Sequence, residues 1–576
     1  TATCHSSQSL FSGNLDTIIQ INVRVCFYRR NSAGMGFFSR KKEEESEPVP
    51  SRSRLWRGLC FLVLVALLVY LVGVAMDKLK GRMAGTGVAS AEVAVMPEDV
   101  QLLFDIAGAT AEGEREVRLE IIDALLDLID QAGDEIVIDM FLVNQFTGST
   151  ETPVYRDTTG ELVQALVRKK KRRPETFILF ITDPINNVYN VAECPPALIP
   201  LRDVGGNVVL SDLEQLADSN RLYSPFYRAL RPFFGRIGFL DRRLVRNPFQ
   251  LGAERVSLTQ LLKLLNFKAN HRKVAVARMR DGSLRAVITS ANPHSASSAH
   301  GNVGILLKDG PLAAILASEY NIARSSILSN QALCCGPLSG PEMVREIERR
   351  LDPLSQTDTD TETQSAPPPD AAASRLQYLT ESAIAAKVER MLGDAEEGDR
   401  VEVMMFYLSD PGVIDGLRTA AMRGASVRLL LDPNKDAFGR LKRGIPNRPV
   451  AAKLQTWASA SAMTDLEIRW FGTHGEQAHY KLLRVFNWAS GKDELLLGSA
   501  NFTIRNLRGY NLESAVYIEN AGGIGKQAGA VFNNLWENRG SLVYSVPFEN
   551  YQISGANYWW GRVKTRLANW TGMCTF

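Results

Sequence analysis

A short pattern written twice constrains this chain most. One copy runs from Gln477 to Glu513. It holds His479-Tyr480-Lys481, an apolar run, Gly498-Ser499-Ala500-Asn501, and then Asn511-Leu512-Glu513. The earlier copy holds His271-Arg272-Lys273, an apolar run, a turn at Asp281-Gly282, Thr289-Ser290-Ala291-Asn292, and then Asn302. In both copies the second asparagine follows the first by ten residues (302−292 and 511−501). Counting therefore pairs Asn302 with Asn511 and sets Gly304 opposite Glu513. A lone His-x-Lys has no diagnostic value. The chain has only six histidines, however, and two of them in matching frames indicate a duplicated half-site.

The residue types fit phosphodiester exchange, which needs a nucleophile, a proton donor for the leaving alcohol and positive charge around the phosphate. Two histidines can divide the first two tasks. Lys273, Lys481, Asn292 and Asn501, with Ser290, Ser499, Asn302 and Asn511, can hold the phosphate oxygens as charge develops. Each polar triplet follows an apolar strand, which brings it to a strand end. His-x-Lys on a strand would put both side chains on one face, because side-chain direction repeats every second residue. Glu513 can accept a hydrogen bond from an imidazole and fix its tautomer. The chemistry requires no cofactor or metal, and no metal-binding spacing is evident: His474 and His479 lack a third ligand.

The paired H-x-K motifs followed by G-S-x-N resemble the phospholipase D superfamily, which includes phospholipases D, cardiolipin and phosphatidylserine synthases, and some nucleases. The resemblance runs from near Pro97 to near Cys574. It implies an α/β fold in which two repeated phospholipase D-like sandwich halves pack around one shared active site. It also implies that His271 attacks phosphorus while His479 serves as general acid and then base. The family often carries an aspartate seven residues after the histidine. Here Arg278 and Phe486 stand there, with Asp281 and Asp493 further on in expected turns, and the first copy reads T-S-A-N rather than G-S-A-N.

Periodicity supports the duplication independently. Each half opens with an amphipathic helix (121–132; 383–395) and a strand (135–141; 401–408). A second helix follows (160–173; 412–423), then a strand ending in Asp-Pro, at Asp183-Pro184 and Asp432-Pro433. Alternating helical and strand patterns indicate an α/β sandwich. Asp352 to Ser374, rich in Thr, Asp, Ser and Pro, reads as a flexible connector between repeats at 97–350 and 375–576. Val88 to Met96 reads as a linker.

Leu59 to Met76 is an uncharged apolar run of membrane-spanning length, which gives a single transmembrane helix over 58–77. Basic residues are denser before it than after it, which favours a cytoplasmic N-terminus over 35–57 and an extracytoplasmic catalytic region. Ala89-Ser90-Ala91 resembles a signal-peptidase site but lies well beyond the run, so a retained anchor is expected. Met35 begins a stretch resembling a natural start, which makes 1–34 an expected untranslated or disordered segment. Net charge is only +3, which does not mark a dedicated nucleic-acid binder. The expected function is a membrane-anchored phosphodiesterase or phosphatidyltransferase on glycerophospholipids, with a phospholipid membrane and water or an acceptor alcohol as partners; the alternatives are an extracytoplasmic single-strand nuclease and a catalytically inactive phosphate-binding module.

The remaining features are weaker. Seven cysteines show no C-x-x-C pairing, although a bridge from Cys194 to Cys334 or Cys335 is compatible with the sequence. His294 and His300, near the first motif, read as surface-loop histidines, with pocket lining as the alternative. The basic run Arg168–Arg173 reads as a solvated helix end, with attraction to anionic headgroups or nucleic-acid phosphates as the alternative. Two aromatic and basic stretches, Tyr223 to Arg246 and Tyr558 to Trp570, suit either a membrane interface or core packing with snorkelling arginines.

Overall fold

The computed structural model describes residues 52–146, 156–190, 194–234, 237–247, 254–329, 334–361, 373–437, 440–441, 443–461, 465–572 and 574. The start at Met35 and the segment before it lie outside these residues.

Two sheets dominate. Among the described residues, the first has nine strands in the order Cys334–Cys335, Asn207–Leu210, Phe177–Thr182, Ala132–Met140, Lys273–Met279, Leu284–Thr289, Asn302–Leu307, Val100–Ala109 and Arg115–Arg118. The second runs Val93–Val95, Ser374–Thr380, Ser514–Glu519, Lys492–Gly498, Lys481–Asn487, Arg400–Met405, Ser426–Leu431, Leu466–Phe471 and Ser545–Pro547. Seven consecutive strands follow the same connection in both, so the duplication extends to topology. Each half has a parallel pair from a β-α-β crossover (Glu135 beside Phe177; Arg400 beside Ser426) and an antiparallel meander carrying the motifs.

The sheets share one core. Val137, Val276, Ile288 and Ile305 from the first pack in the same buried cluster as Met404, Leu482, Leu497 and Val516 from the second. Two further clusters lie under the helices of each half, around Ile121, Leu125, Leu162 and Leu166, and around Ile384, Val388, Val413 and Leu417. Burying these apolar faces supplies the dominant favourable term. It also packs the two meanders face to face.

Several expectations change. Residues 88–96 are not a free linker. Val93–Val95 forms an edge strand of the second sheet, antiparallel to Ser374–Thr380, and Ala89 bridges Leu379. The connector begins inside a helix, Gly340–Thr361, and 362–372 lie outside the described residues. Asp493 is not in a turn: it sits buried in strand Lys492–Gly498 and pairs with Arg484 at 2.9 Å. The basic run ends its helix as expected, but Lys169 is buried and donates to the Asp130 and Ala132 carbonyls.

One described helix, Arg52–Leu79, contains a stretch long and apolar enough to cross a membrane, Trp56–Leu79. Its side chains are mostly exposed up to Val72, and Gly73 is buried. There the helix meets Ser224–Phe234 so closely that a Cβ on Gly73 would collide with the Pro225 backbone. One turn later Asp77 pairs with Arg228 at 3.4 Å.

Candidate active site

The two Asp-Pro turns explain their own recurrence. Asp183 accepts from the backbone N–H of Asn270 (2.6 Å) and of Ile185 (2.7 Å). Asp432 does the same for Ala478 (2.7 Å) and Asn434 (2.6 Å). Each carboxylate thus fixes the peptide just before a motif histidine. The strands themselves begin at Lys273 and Lys481, so His271 and His479 stand two residues ahead of them rather than within them. Each lysine folds back to donate to its own histidine's carbonyl, at 2.7 Å in both copies. Each lies 5.3 Å from an aromatic centroid, Phe141 or Phe406. The same rings lie 5.1 and 5.0 Å from His271 and His479.

The halves then cross over. His271 N–H donates to the Leu512 carbonyl (2.9 Å), and Leu512 N–H to Ala269 (3.0 Å). Symmetrically, His479 N–H donates to Gly301 (2.7 Å), and Gly301 N–H to Gln477 (3.1 Å). Each imidazole therefore meets a side chain of the opposite half. His271 Nδ1 lies 2.9 Å from Glu513 Oε1 and 3.0 Å from Oε2. His479 Nδ1 lies 3.3 Å from Asn302 Oδ1. The two rings are 6.4 Å apart, edge to face.

This geometry corrects the pairing made by counting. Ser290 exchanges hydrogen bonds with Val303, and Ser499 exchanges the same bonds with Ser514. Gly304 faces Thr289 as Ala515 faces Gly498. The counterpart of Glu513 is thus Asn302, not Gly304, because the second loop is two residues longer (514−499 against 303−290). Asn511 instead accepts from Ala269 N–H at 3.1 Å, bracing the approach to His271. One histidine is backed by a carboxylate and the other by an amide.

The supporting shells differ accordingly. Glu513 also accepts from Ser499 Oγ and Asn506 Nδ2. Asn302 donates to Asp105 at 3.1 Å, and its Oδ1 lies 3.4 Å from Ser290 Oγ. Both imidazoles therefore donate Nδ1–H outward to the opposite half, which leaves the Nε2 lone pair for chemistry. The side-chain oxygens of Asn292 and Asn501 occupy equivalent positions, and both are without hydrogen-bond partners. Turning either amide would present an N–H donor instead.

Burial sets the electrostatics. It pushes His271 down to about 4, although Glu513 pulls the other way. It pushes His479 well below the usual histidine range, and Lys481 and Lys273 push it further. It lowers Lys273 to about 7 and Lys481 well below an ordinary lysine. Burial alone would raise the Glu513 carboxyl, but His271 and Lys273 outweigh it and hold the group low. Burial leaves these cationic groups poorly solvated, so a bound phosphate would stabilise their charged forms strongly.

His294 and His300 are buried rather than on the surface. The His300 ring lies 6.1 Å from His479, in the loop between the two motif segments. Among the described residues no three His, Cys, Asp or Glu side chains form a group that could hold a metal ion.

Residues 388–536 match the family model described as cardiolipin synthase, PLD-like domain. Residues 388–536 therefore carry a phospholipase D-like domain. The duplicated topology and crossed histidines extend that architecture to the first half. No curated protein sequence matches the chain. Among solved structures, phosphatidylserine synthase of Haemophilus influenzae Rd KW20 is 10% identical, with 84% of this chain and 95% of that chain covered at a TM-score of 0.48. Polyphosphate kinase from Porphyromonas gingivalis is 13% identical, covering 77% of this chain and 51% of that one at 0.37. Nuc from Salmonella typhimurium, a phospholipase D family member, is 18% identical, covering 30% and 97% at 0.23.

Sequence reasoning missed the middle residue of the first H-x-K. Arg272 is fully buried, pairing with Glu319 (3.1 Å) and Glu381 (2.8 Å) and donating to the Gly85 carbonyl (2.8 Å). Glu381 in turn accepts from Glu513 N–H at 2.9 Å. The signal was available: period-two alternation turns this arginine away from the histidine and lysine, into a core where a cation must find carboxylates. Glu319, buried in the helix Leu312–Leu328, was the partner to seek.

Proposed function

We propose that this phospholipase D-like protein is a membrane-anchored phosphodiesterase or phosphatidyltransferase acting on glycerophospholipids through a phosphohistidine. The observation carrying this reading is the crossed pair: His271 backed by Glu513, and His479 backed by Asn302. His271 Nε2 attacks phosphorus as the bond to the leaving alcohol oxygen breaks, and protonated His479 gives that oxygen its proton. Neutral His479 then takes a proton from water or an acceptor alcohol, whose oxygen attacks phosphorus and releases His271. The Glu513 carboxylate stabilises the positive charge that His271 acquires, which is why His271 is the nucleophile. Asn302 carries no charge to hold a proton on His479, which suits a group that must give one up. Lys273 and Lys481 balance the oxygens of the transition state. The apolar helix and the apolar surface around it support a lipid substrate, with the catalytic region outside the cytoplasm.

Purified full-length protein offered labelled phospholipids and single-stranded DNA in parallel is expected to turn over lipid, and His271→Ala and His479→Ala each to abolish it. DNA cleavage without lipid turnover would replace this reading with a nuclease. Activity unaffected by either substitution would remove the paired-histidine mechanism.

Replacing Glu513 with glutamine should lower turnover by about 10²-fold, since the imidazolium partner loses its charge while its hydrogen-bonding shape remains. Unchanged kcat with raised KM would instead make Glu513 a binding residue.

A pH dependence follows. As pH rises, kcat/KM should fall first as His479, held well below the usual histidine range, loses the proton it must donate, and again above about 7 as Lys273 loses its own. Lys273→Arg should move that limb upward. On the acid side kcat/KM should fall through about 4 as His271 is protonated. Stability carries its own sign: unfolded Lys273 returns to an ordinary value of 10.5. The unfolded state then binds more protons between about 7 and 10.5, and the Lys273 contribution to unliganded stability should rise with pH across that window. Denaturant midpoints compared between the wild type and Lys273→Met test this.

A further inference from the structure

The C-terminal helix Gly555–Thr571 is amphipathic in the reverse sense for a soluble protein. At 3.6 residues per turn, Trp559, Trp560, Val563, Leu567 and Trp570 fall within an arc of about 100°. That arc points outward: Trp559, Trp560, Leu567 and Trp570 are each more than half exposed. The face against the protein consists of small residues. Gly561 and Thr565 are buried, and a Cβ on Gly561 would sit 3.3 Å from Pro449. Arg562, Lys564 and Arg566 flank the apolar arc on both sides.

Arg221 connects this helix to the apolar helix Arg52–Leu79. Its backbone N–H donates to the Thr571 carbonyl at 3.0 Å. Its carbonyl accepts from Tyr70 Oη at 3.1 Å. The uncharged run before Asp77 spans about 27 Å, close to a hydrocarbon core, and Tyr70 lies about 10 Å short of Asp77. The end of the tryptophan helix is therefore held about 10 Å inside the point where the apolar helix leaves hydrocarbon, a depth within the reach of an interfacial helix. Leu222 and Phe233, both exposed, continue the same apolar surface alongside.

We infer that Gly555–Thr571 is an interfacial helix that lies in the outer boundary of the membrane crossed by Arg52–Leu79. Its tryptophans enter the headgroup and upper acyl region, and Arg562, Lys564 and Arg566 meet anionic headgroups. The seat is tied to the catalytic loops. Arg505 donates to the Gly572 carbonyl and Ser219 Oγ at 2.5 and 2.6 Å, and to the Phe267 carbonyl at 2.5 Å, four residues before His271. The inference requires Arg52–Leu79 to span the bilayer, but not that the enzyme acts on lipid.

The test uses the full chain in nanodiscs of phosphatidylcholine and phosphatidylglycerol, with or without bromine on the acyl chains. Tryptophan emission is compared with that of W559F/W560F/W570F, and the difference isolates the helix. That difference should be blue-shifted and should lose about half of its intensity in brominated lipid. Emission at water-exposed wavelengths, indifferent to bromine, would overturn the inference. A blue-shifted difference indifferent to bromine would also overturn it, because a second copy would then cover the face. The single variants W560F and W570F give the same readout if the triple variant does not fold.

Discussion

Replacing His479 with alanine should reduce turnover of a phosphodiester with an alkyl leaving group by about 10³–10⁴-fold, while a nitrophenyl leaving group should restore much of the first step. The reasoning is chemical. An alkoxide departs only if it receives a proton, whereas a nitrophenolate departs without one. Because His479 is also the base for the second step, the nitrophenyl substrate should still stall after one turnover. His271→Ala should gain nothing from the better leaving group. Stopped-flow absorbance separates the two variants, and equal rescue of both would contradict the division of labour between Glu513-backed and Asn302-backed histidines.

The second large effect is on stability. Arg272→Met should destabilise the protein by about 3–5 kcal/mol, because it leaves Glu319 and Glu381 buried without their cation. Tyr378 Oη also donates to Glu319, at 3.0 Å, so the vacated network spans both halves. Arg272→Lys should recover only part of the loss, since an ammonium cannot reproduce the forked contacts. Urea unfolding measures this directly. A loss below about 1 kcal/mol would mean that the cluster is not what joins the halves.

Much of the candidate site's arrangement was legible because the same residue pattern is written twice. His271, Lys273, His479 and Lys481 meet at one point, as the repeated motif implied. The strand-end positions of Ser290, Asn292, Ser499 and Asn501 followed from apolar runs and alternation. What failed was counting across a loop. The interval shared by Asn302 and Asn511 concealed an insertion of two residues in the second copy, so the true counterparts, Asn302 and Glu513, were offset. Only the backbone exchange at Ser290 and Ser499 reveals it. Strand addition by Val93–Val95 was equally hidden, because three residues carry too little periodicity to mark a strand. His294 and His300 looked superficial because polar loops usually are, yet this loop is folded under by the crossing of the halves. The reversed amphipathy of Gly555–Thr571 was present in the sequence as tryptophans beside arginines. Its direction was not, because periodicity alone does not say which face meets the protein.

The most direct test of the central claim is to trap the covalent intermediate. His479→Ala mixed with a nitrophenyl phosphodiester should release close to one nitrophenolate per protein in a burst, and peptide mass spectrometry should then find the phosphoryl adduct on His271. An adduct on His479 in the reciprocal His271→Ala variant, or nitrophenolate released without any phosphohistidine, would contradict the account.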